Sequence, residues 1–189
     1  MARRMADSMR HTPWLRVELW GDEAFWGGRV HFGGHPPTEL PVTGGSHVRV
    51  WLHGQLFLEG AAISGVLGAE GLSRLISDPA NRLRDADGSF NLAGYNTMTH
   101  ELVIATDRLG FRPLFWTETP EWFAYASEVK ALLAISPRQP DLDEVSLRQF
   151  FGYDHMLGDR TWWKGITLVP PASCWQISSQ GSQCRRYWT

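Results

Sequence analysis

Cysteine is nearly missing from this chain: its 189 residues hold two, Cys174 and Cys184, both near the C-terminus. An oxidised secreted scaffold carries more, at framework spacing, so this count argues against a disulfide-built fold and for a cytoplasmic location. An excess of charge of either sign is missing too. A formal net charge of -2 supplies no broad field for nucleic acid or an anionic membrane, and neither is expected as a partner. No apolar run is long enough for a transmembrane helix, and no internal repeat or low-complexity segment is visible. Met1 to His11 holds Arg3, Arg4 and Arg10 but neither an apolar run nor a period. It does not read as a secretory signal. Residues 1–13 are expected to be a flexible lead-in to a single domain over residues 14–189.

What is present reads as one soluble globular domain. The chain is 43% hydrophobic and 20% charged, enough to bury a core. Ten tryptophans is a large number for this length. Their wide amphipathic rings suit half-buried sheet faces; an exposed platform for a sugar or peptide is the alternative.

Leu15 to Trp20 alternates apolar and polar residues, the period of a half-buried strand. Phe25 to Phe32 reads as a second strand, Gly33 to Ser46 as a loop, and His47 to Leu52 as a third strand. Gly68 to Asp78 is helical, with Leu72, Leu75 and Ile76 on one face and Pro79 as the stop. Ser89 to Tyr95, Glu101 to Thr106, Pro113 to Trp116 and Trp122 to Tyr125 form an antiparallel meander. A helix over Ser127 to Ile135 follows, then one capped by Asp143 that aligns Leu147, Phe150 and Phe151. Ser173 to Ile177 and Gln183 to Trp188 close the chain as a hairpin. The pattern gives an α+β domain built on antiparallel sheets.

Three segments carry a family resemblance. Asp87-Gly-Ser-Phe-Asn-Leu-Ala-Gly-Tyr95, running into Ala105-Thr-Asp-Arg-Leu-Gly-Phe-Arg-Pro-Leu-Phe-Trp116, resembles a "DG-x-F-A" strand followed by "RD-x-x-G-x-x-P-L-Y-Y". Ala126-Ser-Glu-Val-Lys-Ala-Leu132 is similar to "A-S-E-x-K-A-L". Gly158 to Ile166, with Leu168-Val-Pro-Pro171 and Arg186-Tyr-Trp188, is similar to the exit of the same domain. The domain that these segments resemble is the amino-terminal class II glutamine amidotransferase domain of the asparagine synthetase family. The degenerate amino-terminal domains of β-lactam synthetases and lasso-peptide cyclases look similar. The resemblance implies an Ntn-hydrolase-like αββα sandwich of antiparallel sheets, here with a shortened or missing helical layer. Asp107, Arg108, Gly110, Pro113, Ser127, Glu128 and Lys130 fall in its motifs. They read as scaffold, with Asp107 able to accept N–H bonds in its turn, or as contacts to a neighbouring domain.

By the same resemblance, an active domain carries a cysteine after the initiator methionine, and its thiolate attacks the glutamine amide. An Asn side chain and a Gly N–H hold the oxyanion. Here Met1 is followed by Ala2. Where the family has "N-G-E", this sequence has His53, Gly54 and Gln55, a vestigial oxyanion and substrate pocket. The "H-R-G-P-D" loop has no counterpart in Gly33 to Gly45, and "S-D-x-E" is replaced around Ser64 to Gly68. No catalytic residue and no metal site is therefore assigned. A terminal nucleophile freed at Ser8 or Thr12, a zinc site using His31 and His35, a catalytic base at His53 and a Cys174–Cys184 disulfide are lesser alternatives. Cys174 is expected instead to fill core space.

The pyrophosphate loop "S-G-G-x-D-S" of the family's synthetase domain is also missing. No cofactor is expected on this chain, and ATP and Mg belong to a partner synthetase domain. The expected role is a structural or partner-binding domain for an amide-forming synthetase, with self-association as the other partner. An active glutamine-hydrolysing domain is the alternative.

Overall fold

A computed structural model describes residues 1–33, 42–44, 47–58, 61–62, 69–138 and 140–189. The first half runs α1 (Ala2–Met9), β1 (Arg16–Gly21), β2 (Trp26–His31), β3 (Val42–Gly44), β4 (Val48–Leu58), β5 (Ala61–Ala62), α2 (Ala69–Ser77) and α3 (Pro79–Arg82). The meander follows as β6 (Asp87–Asn96), β7 (Leu102–Thr106), β8 (Phe115–Glu118) and β9 (Phe123–Ala126). Then come α4 (Val129–Leu133), α5 (Glu144–Tyr153), β10 (Thr167–Leu168), β11 (Ser173–Ser178) and β12 (Gly181–Arg186).

The strands assemble into a seven-stranded sheet of order β12-β11-β7-β6-β4-β3, with β5 on the end of β4. A three-stranded sheet β10-β8-β9 and the β1–β2 hairpin complete the set among the described residues. Side chains alternate across a strand, so the large sheet presents two apolar faces. Val50, Leu56, Phe90, Leu92, Val103 and Ala105 face one way, against Leu75, Ile76 and Leu83 of the α2–α3 region. Trp51, Ala93, Tyr95, Leu102 and Ile104 face the other way, against Leu114, Trp116, Phe123 and Tyr125. The outer face of the small sheet, through Ala124 and Ala126, packs on Ala131 and Leu132 of α4. The order is helix, sheet, sheet, helix: an αββα sandwich with both helical layers present and short. Burial of each large side chain such as Leu56, Phe90 or Ile104 contributes roughly 1.5–3 kcal/mol. Gly94 sets the spacing of one layer, since a Cβ there would lie 2.3 Å from Ile76 Cδ1.

The structure adds to the expectation in two places. Residues 1–13, read as a flexible lead-in, contain helix α1, which buries Ala6. Met5 and Met9, one turn apart, pack against the outer core of α4, while Arg3 reaches Asp7 on the solvent side. The apolar stripe, Ala2, Met5, Ala6 and Met9, is short and lies among arginines, so it acquires meaning through its tertiary partner. The loop expected over Gly33 to Ser46 contains β3, which pairs with β4, and the rest of that stretch lies outside the described residues apart from Gly33. The cap at α5 is as expected: Asp143 accepts N–H bonds from Val145 and Ser146 and pairs with Arg160 at 2.7 Å.

Both cysteines are free thiols. Cys174 pairs across the strands with Arg185, and Cys184 with Trp175, so the two sulfurs point to opposite faces of the sheet and cannot bridge. Burial pushes the Cys174 thiol up to about 11, whereas Cys184 lies on an exposed edge strand. Ellman titration of the folded chain is expected to count one reactive thiol, rising to two on unfolding. Two fast thiols in the folded state would contradict this packing.

Candidate functional site

The site begins with the register of β4 on β6. His53 lies opposite Asn91, Gly54 opposite Phe90 and Gln55 opposite Ser89. His53 and Gln55 share a face with Trp51, the side that looks toward the small sheet. Gly54 has φ +102°, and a Cβ on it would fall 2.1 Å from the Ser89 carbonyl oxygen and 2.5 Å from Arg112 Nε. Only glycine fits there, because the backbone is left-handed and the space is taken.

What takes the space is Arg112. Its Nε donates to the Ser89 carbonyl at 3.1 Å, and its Nη1 lies 3.1 Å from His53 Nε2. A guanidinium only donates, so His53 Nε2 accepts and the ring carries its proton on Nδ1. His53 remains solvent-accessible, yet desolvation of its ring, and then the Arg112 charge, holds its pKa below the usual 6.5. Asn91 is buried, and its amide nitrogen, turned toward acceptors, donates to the carbonyls of Arg112 and Phe90 at 3.1 Å each. Pro113 follows and disfavours helical backbone at Arg112. Main chain and side chain of Arg112 are thus both fixed.

The loop that presents Arg112 is organised by Asp107, which is fully buried. Its carboxylate accepts N–H bonds from Leu109 (3.0 Å), Phe111 (3.1 Å) and, across the sheet, Phe90 (3.3 Å). Gly110, at φ +65°, closes the turn onto the Asp107 carbonyl. Arg108 donates to the Arg84 carbonyl and lies over the Trp188 ring at 5.5 Å, tying the C-terminal segment to the same corner. Tyr187 adds a 2.5 Å bond to the Thr106 carbonyl.

The structure therefore brings His53, Gly54 and Gln55 together with the loop holding Asp107, Arg108, Gly110 and Pro113. It does not bring in Ser127, Glu128 and Lys130. These sit where β9 enters α4, in the outer layer, with Glu128 and Lys130 paired at 2.9 Å and both partly exposed. Such a pair is worth little to stability. Residues 34–41, 45 and 64–68, which cover most of the stretches compared with the family's glutamine-binding segments, lie outside the described residues. Arg112 and Asn91 were given no role from the sequence. The available signal was a cation between Phe111 and Pro113 in a loop whose nearest acid, Asp107, is consumed by backbone amides.

Other sequence candidates lie elsewhere. His31 pairs with Glu18 at 3.0 Å on the β1–β2 hairpin, beside Arg29, while His35 lies outside the described residues. Ser8 donates to the Met5 carbonyl within α1. Of the tryptophans, Trp14 (66%), Trp26 (57%) and Trp188 (41%) are exposed, and no two of them stack among the described rings. The remainder are buried or half-buried, several between the sheets.

Several known proteins are similar to this chain. The family model described as "Glutamine amidotransferase domain" matches residues 72–188. The chain is 33% identical over 103 residues to "Asparagine synthetase [glutamine-hydrolyzing] 3" of Bacillus subtilis (strain 168), covering 54% of this chain and 17% of that protein. It is 35% identical over 69 residues to "Putative asparagine synthetase [glutamine-hydrolyzing] 1" of Methanocaldococcus jannaschii, covering 34% of this chain and 13% of that protein. The matches thus span less than a fifth of either relative. Among solved structures, the glutamine phosphoribosylpyrophosphate amidotransferase of B. subtilis, complexed with ADP and GMP, superposes with TM-score 0.52 at 16% identity. That alignment covers 85% of this chain and 34% of the other. A structure of the allosteric regulatory enzyme of purine biosynthesis gives TM-score 0.51 at 18% identity, with the same coverage. At such identity the likeness is one of fold.

Proposed function

This chain belongs to the glutamine amidotransferase domain family, and on that premise we propose an asparagine synthetase-like domain that does not itself hydrolyse glutamine. It serves as a structural, partner-binding domain for an ATP-dependent synthetase that forms an amide. In this reading ATP and magnesium belong to the partner, the chain carries no cofactor of its own, and both work in the cytoplasm. The outer surface around Ser127, Glu128 and Lys130 is a contact region for that partner.

The observation that carries the reading is the placement of the two thiols relative to the His53 site. Thiolate is the nucleophile in this chemistry, and attack requires it beside the oxyanion donors. Cys174 points instead into the core on the α2 side of the large sheet, and Cys184 lies on the edge strand β12. A second observation supports it. At the position that resembles the oxyanion donor, His53 turns an accepting nitrogen to Arg112 rather than a donor to a developing negative charge.

The partner is tested by affinity purification of the tagged chain from its native host, with mass spectrometry of what accompanies it. A protein or linked domain bearing an ATP-type pyrophosphate loop is expected in stoichiometric amount. Recovery of the chain alone, at its unbound size, would contradict the partner role.

A further inference from the structure

We propose that Arg112, with His53 beside it, forms a binding site for the carboxylate group of a small molecule or peptide end. The inference rests on the reading that this face no longer hydrolyses glutamine.

Arg112 is a fixed cation with neutral partners. Its Nε–H and one Nη1–H are spent on the Ser89 carbonyl and on His53, and the Asn91 amide grips its carbonyl. Among the described residues no carboxylate forms an ion pair with it. Asp107, five positions earlier, does not supply one, because its oxygens are taken by Phe90, Leu109 and Phe111. Three guanidinium N–H groups therefore remain for a ligand, and His53 adds the N–H on its Nδ1. A planar fork of this kind matches the two oxygens of a carboxylate. One guanidinium, with no helix N-terminus or glycine-rich nest beside it among the described residues, suits a single negative charge better than a phosphate dianion. Gln55, two residues along β4 from His53, is exposed on the same face. The side chain is already held before any ligand arrives, by its bonds to Ser89 and His53 in the space that Gly54 leaves open.

The ligand also has a predictable effect on His53. Part of the depression of its pKa comes from the Arg112 charge, so a bound carboxylate that offsets the charge raises it. This gives a readout at the site itself. The imidazole resonances of His53, identified by their loss in His53→Gln, are followed by NMR as acetate, N-acetylglycine, glutamine or glycinamide is added against matched chloride. The Gln55 backbone amide gives a second probe.

The expected result is a saturable shift with acetate, N-acetylglycine and glutamine, none with glycinamide, and an upward move of the His53 titration. Tighter binding of glutamine than of N-acetylglycine assigns the site to free amino acids, and the reverse assigns it to peptide ends. Arg112→Gln is expected to weaken binding at least about tenfold, the loss of a charged fork. Arg112→Lys, which keeps the charge without the fork, is expected to weaken it at least about fivefold and serves if the first variant does not fold. Shifts no larger than those of chloride, equal shifts with glycinamide, or unchanged affinity in a folded Arg112 variant would overturn the site. Release of glutamate from glutamine during the titration would overturn the non-catalytic reading instead, while carboxylate binding stayed measurable with acetate.

Discussion

Replacing Asp107 with alanine is expected to lower the free energy of unfolding by about 4 kcal/mol, a large share of the stability of a domain this size. The residue has no exposed surface, and its carboxylate accepts backbone bonds from Leu109, Phe111 and Phe90. Alanine leaves the Phe90 donor without a partner in the buried sheet, and the Leu109 and Phe111 donors without one in a partly buried turn. Hydrogen bonds to a charged acceptor are worth about 1.5–3 kcal/mol each, and burying the charge offsets part of that sum. Asp107→Asn keeps one accepting oxygen and loses the charge, so about half the effect is expected. Urea unfolding followed by tryptophan fluorescence measures both variants. Equal stability of Asp107→Ala and the native chain would mean that the carboxylate does not organise this loop.

The second large effect is at Gly54. Alanine there is expected to cost about 3 kcal/mol, combining a strained backbone with a collision. Gly181 separates the two contributions. Its φ is +122°, yet a Cβ on it meets nothing within 4 Å. Gly181→Ala should therefore show only the backbone part, about 1–2 kcal/mol. At Gly54 the new methyl meets the Ser89 carbonyl and Arg112 Nε, so either β4 parts from β6 or the guanidinium leaves. If Arg112 leaves, the His53 pKa rises toward 6.5, which connects the stability measurement to the site. Equal losses at the two glycines would contradict the packing described here.

The parts legible in the sequence were those whose cause is local. Strands β6 and β7 and the terminal hairpin follow from alternation and turn residues, and the α5 cap follows from Asp143 before a helical stripe. The resemblance was specific from Asp87 onward, and the family match begins at residue 72, in the same half of the chain. Where causes are tertiary, the sequence was silent. Helix α1 depends on two methionines finding α4. Arg112 acquires its partners only once the β4–β6 register puts Gly54 and Ser89 beside it. Asp107 was legible as a turn acceptor, but its bond to Phe90 depends on how β6 and β7 align. The layer that holds α2 can be short because Gly94 lets Ile76 approach the sheet.

On the proposed reading, an amidotransferase fold here operates without glutamine hydrolysis. The direct measurement is glutamate formed when the purified chain is incubated with glutamine, quantified against a protein-free blank over hours. No glutamate above the blank is the result expected with both thiols placed away from His53. Sustained turnover, proportional to protein and abolished by thiol alkylation, would contradict it.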